Sequence, residues 1–370
     1  MTASEAGVRC LLMRGGTSKG AYFLAEDLPR EKAERDDLLL RIMGSPDPRQ
    51  IDGIGGAHPL TSKVAVVSRS ADPAADLDYL FLQLGVEEGT VSERQNCGNL
   101  LAGVGPFGVE RGLIAAGAPF TDVRIRMLNM GGGIATARFP TVDGGVQYAG
   151  TTAISGVPGT AAPIVLNFTG TAGSVTGQLL PTGKARDVID GVEVTCVDNG
   201  VPVVVAAAED LGITGYEPAE ELARDHRLRD RVQSLRLQAG TMMGLGDVSG
   251  TSVPKTTLVA APRDGGTLCT RTFIPLRPHT SIGVLGAVGA LTAALVDDGV
   301  ARRFAVLPPD GHPLDVEHPT GHTQVELEID TATDPPTVRR AGNVRTARKL
   351  FDGTVFPRHS ARPGPGRRTP

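Results

Sequence analysis

Two side chains in the first half of this 370-residue chain combine a type and a setting suited to proton transfer: Cys97 and Lys63. Cys97 stands in Asn96-Cys97-Gly98-Asn99, just before the apolar run LLAGVG. That run reads as the start of a buried helix. A cysteine at a helix N-terminus has unpaired backbone N–H groups and the positive end of the helix dipole beside it. Both favour thiolate, so the thiol pKa is expected to fall. The same N–H groups suit a carboxylate, and Gly98 leaves room for one to approach. Asn96, Gly98 and Asn99 are therefore candidate substrate contacts. Taken alone, such a cysteine is more often a small core residue. Lys63 closes the segment DGIGGAHPLTSK, which begins at Asp52, and opens the β-branched run KVAVVSRS. Loop-to-strand junctions are common places for reactive groups. A lysine serves as a base only if its pKa falls from about 10.4 toward roughly 7–8, which burial can bring about. A bound polycarboxylate pushes the other way, so desolvation or a nearby cation such as Lys19 or Arg14 must outweigh it. Taken alone, a lysine is more often a solvated surface residue.

Weaker candidates surround these two. The run RGGTSKG (14–20) looks like a phosphate loop, yet no stretch satisfies GxxxxGK[ST]. The cations Arg14 and Lys19 and the hydroxyls of Thr17 and Ser18, set among glycines, still suit carboxylate binding. A plain Gly-rich turn is the competing reading. Pro278-His279-Thr280-Ser281 opens a second apolar segment. There Thr280, Ser281 and Ile282 are candidates for holding a second carboxylate. The runs NMGGG (129–133) and GTMMGLG (240–246) read as a hairpin turn and a loop, and His58 as structural or surface. The four cysteines lie far apart without a CxxC pair, so neither a zinc site nor a disulfide framework is expected. A GxGxxG fingerprint after a strand is missing, which ranks nucleotide binding low. No metal and no organic cofactor is expected.

The elements that must position these residues are short. Gly (48) and Pro (27) together make about a fifth of the chain, which suits many strands joined by tight turns. Strands are expected at 8–13, 21–24, from Lys63 onward, 79–84, 122–128, 134–139 and 145–149. Helices are expected at 30–43, at 217–236 (charged) and at 281–296, the last apolar almost all round and so buried inside a sheet that wraps it. The second half echoes the first. Ala25-Glu26-Asp27-Leu28 recurs as Ala208-Glu209-Asp210-Leu211, Lys63 heads a strand as Lys255 does, and CGNLLAGVG from Cys97 aligns with SIGVLGAVG from Ser281. Three echoes in one order predict two similar α/β (α+β) domains, 1–185 and 186–345, with 346–370 returning to the first. Apolar content of 40% and charged content of 21% place the chain among globular proteins. Aromatics at 4%, no Trp and a net charge of −4 argue against a nucleic-acid partner. A small anionic substrate remains compatible, because a pocket's local field can oppose the overall sign. Neither a signal sequence nor a membrane span is legible, so a cytoplasmic protein with reduced thiols is expected.

The words MRGGTSKG, GSPDPRQIDGIGGAHPLTSKVAVV, QNCGN, MLNMGGG and ARKLFDGTVF together resemble the family of methylaconitate isomerases and 4-oxalomesaconate tautomerases. The resemblance spans roughly 8–357, and MRGGTSKGAYF and LTSKVAVVSRS lean toward the tautomerase side. It implies a diaminopimelate-epimerase-like fold: two similar domains, each a curled, mostly antiparallel sheet around a central helix, with the active site in the cleft between them. The wider superfamily includes racemases that use one cysteine from each domain. Cys97 matches the first, and Ser281 stands in place of the second, which disfavours a two-thiol racemase. The resemblance instead implies Lys63 as principal base and Cys97 as its acid/base partner. It implies a cofactor-free proton shift along a small unsaturated tricarboxylate, with 4-oxalomesaconate of gallate or protocatechuate breakdown ahead of 2-methylaconitate of propionate metabolism. A non-catalytic binding protein on the same fold ranks below both. A homodimer or higher homo-oligomer stays open.

Overall fold

The computed structural model describes residues 7–93, 97–129, 133–311 and 313–359. Asn96 and residues 130–132 of the NMGGG run lie outside the described residues. The chain divides into two compact units. One runs to Ala153, takes Gly159–Val165 and resumes at Arg345; the other holds Ile154–Pro158 and Leu166–Val344. The change-over thus falls between 153 and 166, ahead of the 185/186 boundary read from the sequence. Residues 171–179 join the second unit for a clear reason. The Asp198 carboxylate accepts from the N–H groups of Val175 and Thr176, both at 2.7 Å, and Leu179 enters that unit's core.

In the first unit β1 (Val8–Gly15) turns into β2 (Ser18–Leu24). Helix α1 (Lys32–Met43) follows. Glu31 caps it, accepting from the Glu34 N–H at 2.8 Å, and Gly44 at φ +82° ends it. Then come β3 (Lys63–Arg69), β4 (Leu77–Leu84), α2 (Gly98–Glu110), β5 (Phe120–Met127) and β6 (Ile134–Val142). Successive strands pair antiparallel, parallel, antiparallel, parallel, antiparallel.

The second unit repeats this order. Its strands are β7 (Val192–Asp198), β8 (Pro202–Ala207), β9 (Lys255–Ala260), β10 (Leu268–Ile274), β11 (Leu314–His318) and β12 (Gly321–Asp330). They pair in the same alternation. Helices α3 (Ala219–Arg224) and α4 (His226–Met242) occupy the place of α1, and α5 (Val284–Leu295) that of α2. The expected single helix at 217–236 is therefore two. Asp225 interrupts it with extended backbone and caps α4 by accepting from the Leu228 N–H at 2.9 Å. The last strand, β13 (Thr337–Val355), pairs with β12 over its first part and with β1 over its last. Among the described residues no helix is long and apolar enough to cross a membrane.

The sheet of the first unit has two apolar faces, so β3 reads as a continuous apolar run. Val64 and Val66 join Leu82 and Leu84 in the core under Leu39, Ile42 and Met43 of α1. By the two-residue period, Lys63 and Ala65 of β3 and Tyr79, Phe81 and Gln83 of β4 face the other way, toward α2. Helix α2 is buried over Leu100–Gly108 and touches every strand from β1 to β6. Its glycines let the sheet come close. A Cβ on Gly103 would stand 2.4 Å from the Tyr22 hydroxyl oxygen. Ala is ordinarily the better helix residue by about 1 kcal/mol. Here the sign reverses, and Gly103→Ala is expected to cost about 1–3 kcal/mol, read by urea unfolding. Unchanged or raised stability would show that Tyr22 can move aside freely.

Candidate active site

Lys63 owes its position to three devices. The loop before it is pinned by Gln50, 1% exposed, which is held in the left-handed region at φ +46°. Its side-chain oxygen accepts from the Ala57 N–H and the Ser62 hydroxyl, both at 2.8 Å, and its amide donates to the Ser45 hydroxyl at 3.0 Å. On one side Lys63 pairs with Gly20 of β2, where a Cβ would lie 2.7 Å from the Lys63 carbonyl. On the other it pairs with Gln83 of β4. The Lys63 nitrogen donates to Gln83 Oε1 and lies over the Phe81 ring, 5.2 Å from its centroid. Lys63 is 7% exposed, and no carboxylate bridges it among the described residues. Burial pulls its pKa below the ordinary lysine value, while a charge on Cys97 pushes it back up.

Cys97 is the N-cap of α2 and, unlike Cys10, Cys196 and Cys269, is partly exposed. Two tyrosines fasten the helix start beneath it. Tyr79 donates to the Cys97 carbonyl at 3.2 Å and Tyr22 to the Leu100 carbonyl at 2.6 Å. The thiol does not follow the expectation of a lowered pKa. Loss of hydration is the largest influence and raises it; the charges of Lys63 and Arg345 and the N–H groups of Leu100 and Asn99 pull down without prevailing. Electrostatic coupling therefore joins three groups of this unit: Lys63, Cys97 and Arg345. Burial draws the Arg345 guanidinium down to about 10, which leaves it charged at neutral pH. Sequence reading missed Arg345, although it is an arginine inside a strand whose neighbours are buried.

The β1–β2 turn is fastened to the same helix start. Asn99 donates to the Thr17 hydroxyl at 3.0 Å and to that of Ser18 at 3.4 Å, and its Oδ1 accepts from the Thr17 N–H at 3.4 Å. The approach is close enough that a Cβ on Gly16 would stand 2.2 Å from Asn99 Oδ1. Thr17, Ser18, Gly98, Asn99, Cys97 and Lys63 thus gather in one unit. Arg14 lies at the start of the same turn. Its Nη1 donates to the carbonyls of Gly16 and Thr346 and to the Thr346 hydroxyl, so that nitrogen holds the turn against β13. Lys19 has no carboxylate partner among the described residues and reaches toward Gly56.

The second unit holds the remaining candidates. Helix α5 begins at Val284 with Gly283 as N-cap, so Ser281 lies two residues ahead of the cap. It does not share the cap position that Cys97 holds on α2. The Ser281 N–H donates to His279 Nδ1 at 2.8 Å, and its hydroxyl meets His318 Nε2 at 3.2 Å. The Thr320 N–H donates to His318 Nδ1 at 3.3 Å, which assigns the ring proton to Nε2. Burial holds His318 down at about 4, so the ring is neutral at pH 7 and donates to the serine. Ser281 is then an acceptor from His318, with its own proton directed elsewhere, and not an activated nucleophile. The Ile282 side chain is core, and the Thr280 carbonyl accepts from the Thr320 hydroxyl at 2.8 Å. Lys255 heads β9 as Lys63 heads β3, and burial lowers its pKa too.

A desolvated amine without a counter-carboxylate, coupled to a thiol at a helix start, can take and return protons on a small acid. Comparisons with known proteins place the chain as a whole. The family model described as PrpF protein matches residues 6–358. The 4-oxalomesaconate tautomerase of Pseudomonas putida is 56% identical over 349 residues, covering 94% of this chain and 95% of that protein. The crystal structure of a methylitaconate-delta-isomerase superposes with a TM-score of 0.86 at 31% identity, covering 98% of this chain and all of the other. A hydroxyproline epimerase from Agrobacterium vitis reaches a TM-score of 0.51 at 15% identity over 95% of this chain and 92% of its own, a likeness of fold alone.

Proposed function

The chain belongs to the PrpF protein family, and on that premise we propose that it is a 4-oxalomesaconate tautomerase whose proton transfers run through Lys63 and Cys97. That it is an isomerase follows from the relatives it matches along nearly all its length. The observation that carries the assignment of roles is a buried amine, held by neutral Gln83 and Phe81, beside the thiol that caps α2; burial pulls the amine's pKa down and pushes the thiol's up. In oxalomesaconate a methylene lies between a ketone and a C=C bearing carboxylates. Loss of one of its protons gives an extended dienolate. Neutral Lys63 takes that proton and becomes an ammonium. The Cys97 thiol delivers a proton to oxygen or to the far carbon of the allylic system and becomes a thiolate. The new ion pair is favoured by the charge coupling already present, and a proton passing from ammonium to thiolate restores both groups. Thr17, Ser18, Lys19, Gly98 and Asn99, with charged Arg345, are the groups of the first unit that suit the substrate carboxylates and the developing enolate charge. A place in aromatic-acid breakdown and in the cytoplasm belongs to the same reading.

An ultraviolet assay of the purified protein against 4-oxalomesaconate and 2-methylaconitate tests the substrate. The expected kcat/KM is higher for the oxalo acid by about tenfold or more, the size of effect that extra polar contacts give. Faster turnover of methylaconitate would reassign the substrate. Turnover of neither, with binding retained, would leave a binding protein on this fold.

A further inference from the structure

Gln83 stands directly opposite Lys63 in the antiparallel β3–β4 ladder, with both side chains on the α2 face. The two N–H bonds of its amide nitrogen are shared among three carbonyls. Nε2 donates to the carbonyls of Pro59 at 3.1 Å, Ser62 at 3.2 Å and Leu84 at 3.2 Å. A carbonyl cannot donate, so these three acceptors fix which end of the carboxamide faces them. The oxygen is thereby turned to the Lys63 nitrogen, which donates to it. Two of the three anchors, Pro59 and Ser62, belong to the segment that delivers Lys63 into β3. The side chain therefore reads the position of that segment as well as of the amine.

We propose that Gln83 is the positioning residue of the Lys63 amine, a neutral acceptor that holds one N–H in place so that the lone pair points away from β4. This rests on the reading of Lys63 as base. A neutral amine carries two N–H bonds and one lone pair in tetrahedral array. With one N–H fixed on Gln83 and the Phe81 ring beneath, the lone pair keeps only the directions leading away from both. After the amine takes a proton, the same N–H still donates to the same oxygen. The contact thus persists through the transfer and needs no reorganisation. Neutrality matters as much as direction. A carboxylate at this position favours the ammonium and raises the pKa that burial has lowered. Among the described residues Cys97 is the titratable group whose charge acts on the amine. The facing β4 groups, Phe81 and Gln83, are neutral, and Gly20 of β2 carries no side chain.

Two variants test this with the full-length enzyme on 4-oxalomesaconate. Gln83→Met keeps the length and removes the acceptor. It is expected to lower kcat about tenfold or more with KM little changed, and to move the acidic limb of kcat/KM to lower pH. Gln83→Glu is expected to move the same limb to higher pH. A merely structural role cannot move one limb in opposite directions with opposite chemistry. Circular dichroism and urea unfolding establish that both are folded. Should Gln83→Glu not fold, the Met variant's kcat and limb decide alone. An unmoved limb with wild-type kcat in a folded Gln83→Met overturns the proposal. Lys63→Met, assayed alongside, separates the two readings. If it is inactive while the Gln83 variants behave as wild type, only the role of Gln83 fails; if it is active, the base itself is misassigned.

Discussion

Lys63→Met is expected to lower kcat by about a thousandfold, within the range that a positioned base contributes, and to leave a folded protein. Methionine retains most of the stem that packs under α2 and removes only the nitrogen. Binding should suffer less than turnover, because the groups suited to the carboxylates lie on the β1–β2 turn and the α2 start. The stability of the variant gives a second, independent reading. In the wild type the folded amine has a lower pKa than the unfolded one. Between those two values the unfolded chain binds more protons, so this group makes stability rise with pH: its desolvation penalty is full below the folded pKa and is relieved as pH rises to the unfolded value. Methionine removes that slope. Urea titrations at several pH values should therefore find Lys63→Met at least as stable as wild type near neutral pH, with the difference shrinking as pH rises toward the ordinary lysine value. A folded variant with wild-type kcat would take Lys63 out of the chemistry. A variant less stable at neutral pH would show that the amine is not held against a desolvation penalty.

Much of the frame behind this site was legible because it is written in periodicity. The β-branched run after Lys63, the echo of it after Lys255 and the two segments apolar on every side forced a helix inside a curled sheet, twice over. The alternation of parallel and antiparallel pairs then recurs strand for strand in the second unit. What escaped depends on which strand lies beside which. Gln83 is a polar residue in a mostly apolar strand, and its meaning appears only when the β3–β4 register sets it opposite Lys63. Arg345 and Cys97 are far apart in sequence and meet through the β1–β13 pairing and the burial of α2. The start of α5 was misplaced because Thr280-Ser281 has the composition of an N-cap. In the fold the Ser281 N–H is already taken by His279, and the cap falls on Gly283. The thiol shows most plainly how a local signal is outweighed. A helix N-terminus favours thiolate through the N–H groups of Asn99 and Leu100, but loss of hydration on burial outweighs them.

The direction of that thiol shift gives the Cys97 variants their sharpest signature. With the ordinary values, 10.5 for the amine and 9.0 for the thiol, the singly deprotonated pair is mostly ammonium and thiolate, the wrong partition for a basic lysine and an acidic cysteine. Burial moves each group toward the other partition. The kcat/KM profile should accordingly have an acidic limb below the ordinary lysine value and a basic limb, set by the thiol, above the ordinary cysteine value. Cys97→Ser replaces that acid with a hydroxyl that does not ionise in the accessible range. Turnover is expected to fall about a hundredfold, the basic limb to vanish and the acidic limb to stay. Alkylation gives the same answer by a different route. Cys10 and Cys196 are buried and pushed up to about 12, and Cys269 is buried and raised, so iodoacetamide should select partly exposed Cys97. Because the thiolate is the reactive form, inactivation should be slow at neutral pH, quicken as pH rises toward the raised thiol pKa, and be blocked by substrate. Full activity in protein alkylated at Cys97, or a basic limb that persists in Cys97→Ser, would take the thiol out of the proton path and leave Lys63 to carry both transfers.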